Sequence, residues 1–218
     1  MATPTKLKQV QKLVGCMAAL SRFISRLGEK ALPLYRLLRR TDNFEWTDAA
    51  TAGLEEIKTL LASNPILAAP NAGEPMLLYI LATHQVVSVV LIVKQEQDGH
   101  KFPLQKPVYY VSTVLTPCKS RYPHYKKIAY AVFMASRKLR HYFQECPITV
   151  ANQVPLNDII NKRDATGRIA KWTVELLPFD ITYKPCRAIK SQVLADFVAE
   201  WTEAKLPKEY GAYSNWVM

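Results

Sequence analysis

One uncharged stretch, LLYILATHQVVSVVLIV at residues 77–93, constrains the fold of this chain more than any other. Two runs of aliphatic, β-branched and aromatic residues flank the short polar break Thr83-His84-Gln85. Runs of this kind, separated by a few polar residues, are typical of two consecutive strands joined by a turn. Because neither run contains a charged residue, we expect a hairpin that is buried within a sheet.

The segment before the hairpin predicts helices throughout. Apolar residues recur at helical spacing over residues 8–27, with Gly28 as the expected stop, and ALPLYRLLRR at residues 31–40 predicts a short second helix. Thr47 is suited to the N-cap of a third helix, because its hydroxyl can accept a hydrogen bond from a free backbone N–H. Asn64-Pro65 is expected to end that helix.

The rest of the chain predicts strands and helices in a mixed order. The expected strands are 76–82, 86–94, 108–112, 148–151 and 179–183, and the expected helices are 123–143, 156–161, 167–177 and 189–201. Three successive strands predict an antiparallel meander, and strands separated by helices predict parallel crossovers. The expected fold class is therefore α/β in the broad sense (α+β), a mixed five-stranded sheet flanked by helices.

The charge balance favours a polyanionic partner. The chain has 29 Lys and Arg against 18 Asp and Glu, a net charge of +11. An excess of this size is typical of contact with nucleic acid, although a basic surface is also compatible with plain solubility.

The cysteines and the N-terminus predict where the protein is found. The four cysteines are far apart and form no C-x-x-C pair, which predicts free thiols in a reducing compartment. The start of the chain lacks the apolar core of a signal peptide, and no run of about 18 apolar residues could span a bilayer. We therefore expect an intracellular protein, cytoplasmic or nuclear, without membrane contact.

The sequence lacks the motifs of several classes of functional site. The seven glycines form neither G-x-G-x-x-G nor a P-loop, and there is no G-x-S-x-G elbow. Zinc ligands could be sought in Cys118, His124, His141 and Cys146, but their intervals are irregular and run through a predicted helix, so we interpret them as unrelated side chains. Carboxylate and magnesium chemistry remains, which requires acids that converge from several elements.

The order of elements and several motifs resemble the Pol polyprotein of gypsy-type long-terminal-repeat retrotransposons, especially those of plants. The segments VQKLVGCMAALSRFISR and ALPLYRLLRR are similar to the helical thumb of a reverse transcriptase. The segments PVYYVSTVL, RYPHYKKIAYAVFMASRKLRHYF, GRIAKWTVELLPFDITYKP and AIKSQVLADFVAEW are similar to the RNase H-like domain of these elements. The resemblance implies thumb-like helices at 1–43, a linking helix and join at 44–74, an RNase H-like domain of the connection type at 75–203, and a truncated linker at 204–218.

The resemblance also implies where catalytic acids belong, and this chain lacks them. The first strand of active members carries Y-x-D-A-S, whose Asp binds a metal, and Leu81 occupies that position here. A glutamate expected in the long helix corresponds to Lys126 or Ile128, and the T-D at the end of the fourth strand corresponds to Asn152-Gln153. With these acids missing we expect no catalytic residues, no metal site and no cofactor, Mg²⁺ being expected only in active family members.

The expected function is therefore a structural connection rather than a nuclease. It would contact an RNA/DNA hybrid or duplex through phosphates and, in the parent polyprotein, the reverse transcriptase palm and a downstream RNase H domain. The candidate phosphate contacts are Lys12, Arg22, Arg26, Arg36, Arg39, Arg40, Lys126, Lys127, Arg137, Lys138 and Arg140. An ordinary solvated helix surface explains the same residues equally well. Two alternatives stay open: an active ribonuclease H with displaced acids such as Asp98 or Asp158, and a host-adopted protein-interaction module or non-functional relic.

Overall fold

The computed structural model describes residues 4–39, 44–63, 66–96, 103–160 and 167–185 of the 218-residue chain. The predicted loop at 97–99, the end of the third helix at 64–65, the last helix at 189–201 and the segment 204–218 lie outside these ranges, as do Arg40 and Cys186. Within the described ranges no helix is long and apolar enough to cross a membrane.

The centre of the fold is a mixed five-stranded sheet, as the order of elements predicts. The strands are β1 (Met76–Ala82), β2 (Val86–Gln95), β3 (Leu104–Val114), β4 (Ile148–Asn152) and β5 (Ile181–Pro185), in the spatial order β3-β2-β1-β4-β5. The first three strands are antiparallel, whereas β4 is parallel to both β1 and β5. The helical connections bring the carboxyl ends of these three parallel strands to one edge of the sheet.

The uncharged stretch forms the predicted hairpin. β1 and β2 pair from Met76↔Val93 to Ala82↔Val87, and β2 is buried from Val86 through Val93. The turn between them is closed by Thr83, whose N–H donates to the carbonyl of Val86 and whose Oγ1 accepts from the N–H of Val86 at 3.1 Å. Burial on both sides explains why the sequence of β2 does not alternate between apolar and polar residues.

Four helices and a helical turn lie mainly on one side of the sheet. They are α5 (Pro117–Ser120), α6 (His124–Lys138), α7 (Arg140–Glu145), α8 (Leu156–Ile160) and α9 (Arg168–Leu176). The predicted continuous helix at 123–143 is wrong, because it is interrupted at Leu139, which is 1% exposed between α6 and α7. α6, α8 and α9 share one apolar cluster with the strands, which we call the main core.

The N-terminal helices form a second apolar cluster. They are α1 (Leu7–Ala19), α2 (Leu27–Lys30), α3 (Leu32–Arg39) and α4 (Asp48–Ala62). As predicted, Thr47 caps α4, its Oγ1 accepting from the N–H of Ala50 at 3.3 Å. Because α1 to α4 bury one common set of residues, the suggested division at residue 43 receives no support from packing and stays a prediction.

The predicted helix over residues 8–27 is also wrong in its second half. α1 ends at Ala19, a 3₁₀ turn follows at Ser21–Phe23, and Arg26 adopts the left-handed conformation with φ 55°. Ile24 and Leu27 are buried as expected, but they come from non-helical backbone and from the next helix. Spacing alone does not distinguish this path from a continuous helix, because both bury the same residues.

Gly28 does not stop a helix, as the sequence suggested, but lies inside α2 where that helix touches the sheet. Its N–H donates to Ser112 Oγ at 2.9 Å, and Ser112 Oγ lies 2.8 Å from Ser88 Oγ. A Cβ atom at Gly28 would lie 2.7 Å from Ser112 Oγ and 2.8 Å from Val86 Cγ1. The close approach of α2 to β2 and β3 therefore requires glycine at this position.

Replacing Gly28 by alanine should destabilise the protein by about 1–3 kcal/mol, because the methyl group overpacks the contact between α2 and the sheet. Gly15→Ala is the matched control, since a Cβ atom there meets no atom within 4 Å and Gly15 lies within α1. Alanine in an open helical position should instead stabilise by about 0.5–1 kcal/mol. Urea unfolding of both variants would contradict this account if the two changes had the same sign.

Candidate functional site

A cavity of about 440 Å³ lies at the carboxyl edge of the parallel strands. β1 and β4 pair from Met76↔Ile148 to Tyr79↔Ala151, and the cavity begins where this pairing stops. In open sheets of this kind, ligands bind outside the carboxyl ends of the strands. This edge is therefore the position at which a functional site is expected.

Three elements supply the walls of the cavity. The end of β1, the first turn of α6 and the segment from the end of β4 into α8 meet there. The lining residues are Ile80, Leu81, Ala82, His124, Tyr125, Ile128, Asn152, Gln153, Val154, Pro155 and Ile159. Most of these side chains are apolar, and none carries a carboxylate.

The cavity brings together the positions at which the resemblance places catalytic acids. Leu81, Ile128, Asn152 and Gln153 all line it, whereas Lys126 does not. Of the two candidates in the long helix, Ile128 is therefore the one that lines the cavity together with the other positions. Leu81 is 8% exposed and Ile128 is 1% exposed, so both contribute to apolar packing.

Asn152 holds the two parallel strands together where their pairing ends. Its Nδ2 donates to the carbonyl of Ile80 at 3.4 Å, and its Oδ1 accepts from the N–H of Val154 at 2.9 Å. An aspartate could accept the second hydrogen bond but could not donate the first. The amide at this position therefore has a structural role that an acid would perform less well.

These residues do not fit a magnesium ion, which prefers carboxylate and other oxygen ligands. In the ranges that the structure covers, no group of three or more His, Cys, Asp or Glu is arranged to hold a metal. This also applies to the cysteine and histidine set that includes Cys118 and His141. Asp158 does not line this cavity but an adjoining hollow, which shares Asn152, Gln153, Val154 and Pro155 with it, and Asp98 falls outside the described residues.

Lys127, a predicted phosphate contact, is a buried residue with a structural role. It is 6% exposed, and its ammonium group donates to the carbonyls of Thr83 and His84, both at 3.1 Å. Burial lowers the pKa of this lysine. The structure thus assigns Lys127 to the turn of the hairpin rather than to a phosphate, and no sequence signal distinguishes it from the neighbouring Lys126.

His124 lies at the start of α6 and lines the cavity. Burial, and secondarily the nearby charge of Lys127, lower the pKa of this histidine below its ordinary value of 6.5. The imidazole is therefore neutral near pH 7, and the wall that it forms is uncharged.

The other basic candidates form two groups along the chain. On the N-terminal helices, Lys12 and Arg22 are exposed, and the Arg22 guanidinium lies 5.2 Å from the ring centre of Tyr109. Arg26 Nε donates to Glu29 at 2.7 Å, and Arg36 donates to Gln85 at 3.1 Å. The side chain of Arg39, at the end of α3, is not described.

The second group of basic residues lies on α6 and α7. The Lys126 ammonium lies 4.8 Å from the ring centre of Tyr122, and Lys138 Nζ is 3.4 Å from Thr113 Oγ1. Arg137 makes two hydrogen bonds with Glu175, at 2.9 and 3.0 Å. Arg140 is exposed at the first position of α7.

The sequence matches a family model over part of its length. Residues 46–150 match the model of the RNase H-like domain found in reverse transcriptase. Over 189 residues, 84% of this chain, the sequence is 26% identical to the Transposon Tf2-3 and Tf2-4 polyproteins of Schizosaccharomyces pombe. This chain spans 14% of the length of those relatives.

The fold is similar to that of a viral enzyme. The foamy viral protease-reverse transcriptase in complex with an RNA/DNA hybrid has a TM-score of 0.70 at 22% identity, covering 86% of this chain and 26% of that chain. Its complex with dsDNA has a TM-score of 0.69 at 22% identity, covering 88% of this chain and 40% of that chain. The mixed sheet with its flanking helices is thus an RNase H-like fold.

Replacing Lys127 by methionine should destabilise the protein by about 1–3 kcal/mol, because two carbonyls in a partly buried turn lose their donor. Lys126→Met is the matched control on the same helix, since it removes the cation–π contact with Tyr122, worth about 0.5–1 kcal/mol, and leaves no backbone carbonyl without its donor. Urea unfolding measures both changes. An equal loss for the two variants would contradict the assignment of Lys127 to the turn.

The free energy of unfolding should fall as the pH is lowered from about 6.5, because His124 accepts a proton more readily in the unfolded chain than in the folded one. The lowered pKa means that the penalty grows until the folded form is also protonated. His124→Gln should flatten this dependence, because the glutamine side chain takes up no proton in this pH range. Urea midpoints between pH 5 and 7.5 would contradict the prediction if His124→Gln left the slope unchanged.

Proposed function

We propose that this chain, whose residues 46–150 carry an RNase H-like domain of the kind found in reverse transcriptase, is part of a gypsy-type retrotransposon polyprotein and acts as a catalytically inactive connection. In that role it holds an RNA/DNA hybrid or DNA duplex by its phosphates. It also packs between the polymerase palm and a downstream nuclease domain of the same polyprotein, inside the cell.

The observation that supports inactivity is the chemistry of the cavity at the carboxyl edge. Hydrolysis by two metal ions needs several carboxylates around one point, because each ion requires oxygen ligands and compensating charge. The cavity at the carboxyl edge is instead lined by Leu81, Ile128 and Asn152, among other residues without a carboxylate. A divalent cation there would face mostly apolar side chains, one imidazole and two neutral amides, of which that of Asn152 is already bonded to the backbone, without a carboxylate from these residues to balance its charge, so we propose that this edge binds no Mg²⁺.

The proposed contact with nucleic acid rests on charge and on fold. The net charge of +11 favours a polyanion, and the structurally similar viral enzyme has been solved with an RNA/DNA hybrid and with dsDNA. A lysine or arginine side chain contacts a phosphate through N–H donors that are not already engaged by a carboxylate. Lys12, Lys126 and Arg140 meet this condition best, because none of them forms an ion pair with another described residue.

Arg137 is a weaker candidate than its exposure suggests. Its guanidinium is already bound to Glu175 by two hydrogen bonds and lies 4.7 Å from the ring centre of Phe133. A phosphate would have to displace the carboxylate. Arg137 therefore provides a control on the same helix as Lys126.

The chain should bind an RNA/DNA hybrid with an affinity that falls steeply with salt, and should not cleave it in Mg²⁺ or Mn²⁺. Lys126→Gln and Arg140→Gln should each reduce the slope of log K against log salt concentration by about 1. Arg137→Gln should change the slope much less. Fluorescence anisotropy at several salt concentrations and a gel assay of the RNA strand measure binding and cleavage on the same samples.

Each result separates the proposal from its competitors. Cleavage of the hybrid that disappears in Asp158→Asn or Asp98→Asn would establish an active nuclease with displaced acids. Absence of salt-dependent binding in the full chain would refute the duplex-holding role and favour a protein-interaction module or a relic.

A further inference from the structure

The cavity at the carboxyl edge is large enough to be a binding site in its own right. Its volume of about 440 Å³ lies within the range of about 300–1,000 Å³ that is usual for small-molecule sites. Such sites combine mostly apolar walls with a few well-placed polar groups. This cavity has the same composition, with Ile80, Leu81 and Ile128 among its apolar walls.

The walls exclude a charged ligand. None of the described residues that line it is acidic, so a cation would find no partner among them. The nearest buried cation, Lys127, directs its ammonium group to the carbonyls of Thr83 and His84 and lies outside the lining. An ion moved from water into such a site loses its hydration without compensation, so an uncharged ligand is favoured.

Two polar side chains of the lining, Gln153 and His124, are available to a ligand. Asn152 is occupied by Ile80 and Val154, as its two hydrogen bonds show. Gln153 is exposed, and no other described residue bonds to its amide or to the imidazole of His124. Tyr125, which is 37% exposed, adds an aromatic ring to the lining.

These features favour a compact ring over a peptide. A peptide segment would bring several backbone N–H and C=O groups, each of which needs a partner when it leaves water. Gln153 and His124 can satisfy only a few such groups. A flat ring with one polar edge needs no more than these two side chains offer, and it can stack on Tyr125.

We propose that this cavity binds a small uncharged ligand with a flat, largely apolar ring system and one hydrogen-bonding edge that faces Gln153 and His124. The site would be independent of the proposed contact with nucleic acid, which involves side chains on the outer surfaces of the helices. It occupies the place where a nuclease of this fold would hold its reacting groups, so the same edge of the sheet would serve a different class of ligand.

Three probes that share one ring system test the charge selectivity of the site. Indole is neutral, indole-3-acetate is an anion and tryptamine is a cation near pH 7.5. Indole should bind the full chain, as detected by saturation-transfer NMR and by a rise in the melting temperature. The two charged analogues should bind at least about tenfold more weakly. Failure of indole to bind, or equal binding of either charged analogue, would overturn the proposal.

Two variants test the location of the site. Ala82→Phe should fill the cavity and abolish indole binding, and Gln153→Leu should weaken it several-fold while leaving the affinity for 1-benzothiophene, which lacks the N–H, unchanged. Val174→Phe is the matched control, because Val174 is 65% exposed and does not line the cavity. Far-ultraviolet circular dichroism checks that each variant is folded.

A second filling variant keeps the test decisive if Ala82→Phe does not fold. Ile159→Phe adds volume from the opposite wall, on α8. Indole binding that survives both substitutions would place the ligand elsewhere and overturn the proposal. Because none of these variants alters a proposed phosphate contact, salt-dependent binding of the hybrid should be retained in all of them, which distinguishes failure of this site from failure of the proposed function.

Discussion

The structure depends on the burial of the β1–β2 hairpin on both sides. Along β2, Val87, Val89, Leu91 and Val93 belong to the main core under α6, while Val90 and Ile92 belong to an apolar cluster on the opposite side with Tyr79 and Leu81. A strand packed in this way tolerates no charge on either side. The rest of the fold follows from covering these two surfaces, one with α6 to α9 and the other in part with α2.

Different polar contacts attach α2 and α6 to the two sides of the hairpin. On one side Ser112, which is hydrogen-bonded to Ser88, accepts the N–H of Gly28, so α2 lies close against the strands. On the other side Lys127 extends from α6 to the carbonyls of the turn. In a core that consists mostly of interchangeable aliphatic side chains, such directional contacts select one docking position among many. They also account for two of the buried polar residues, Ser88 and Lys127. A third, Ser136, donates to the carbonyl of Phe133 within α6.

The sequence predicted the elements whose signals are local. The hairpin, the Thr47 cap and the order of strands and helices depend on residue type and spacing within short windows, and they are found as far as the described residues extend, to the end of β5. The errors arise where tertiary packing decides. The backbone leaves the helix after Ala19 and again at Leu139, although the apolar spacing continues, because buried residues can be supplied by several backbone paths. Lys126 and Lys127 are alike in sequence, and only the position of the hairpin turn separates their roles.

The candidate site shows the same division between what spacing reveals and what packing decides. Resemblance identified Leu81 and Asn152 as positions without acids, but not that they and Ile128 line one apolar cavity. Because the three positions line one cavity, charges placed at any two of them would interact. Carboxylates close together in a site of low polarity repel one another and lose hydration, and bound cations offset both costs. If one ligand is replaced and the cations bind weakly, the remaining acids become destabilising. Leucine, isoleucine and an amide that bonds to both strands relieve that cost together, which is the combination that this chain has.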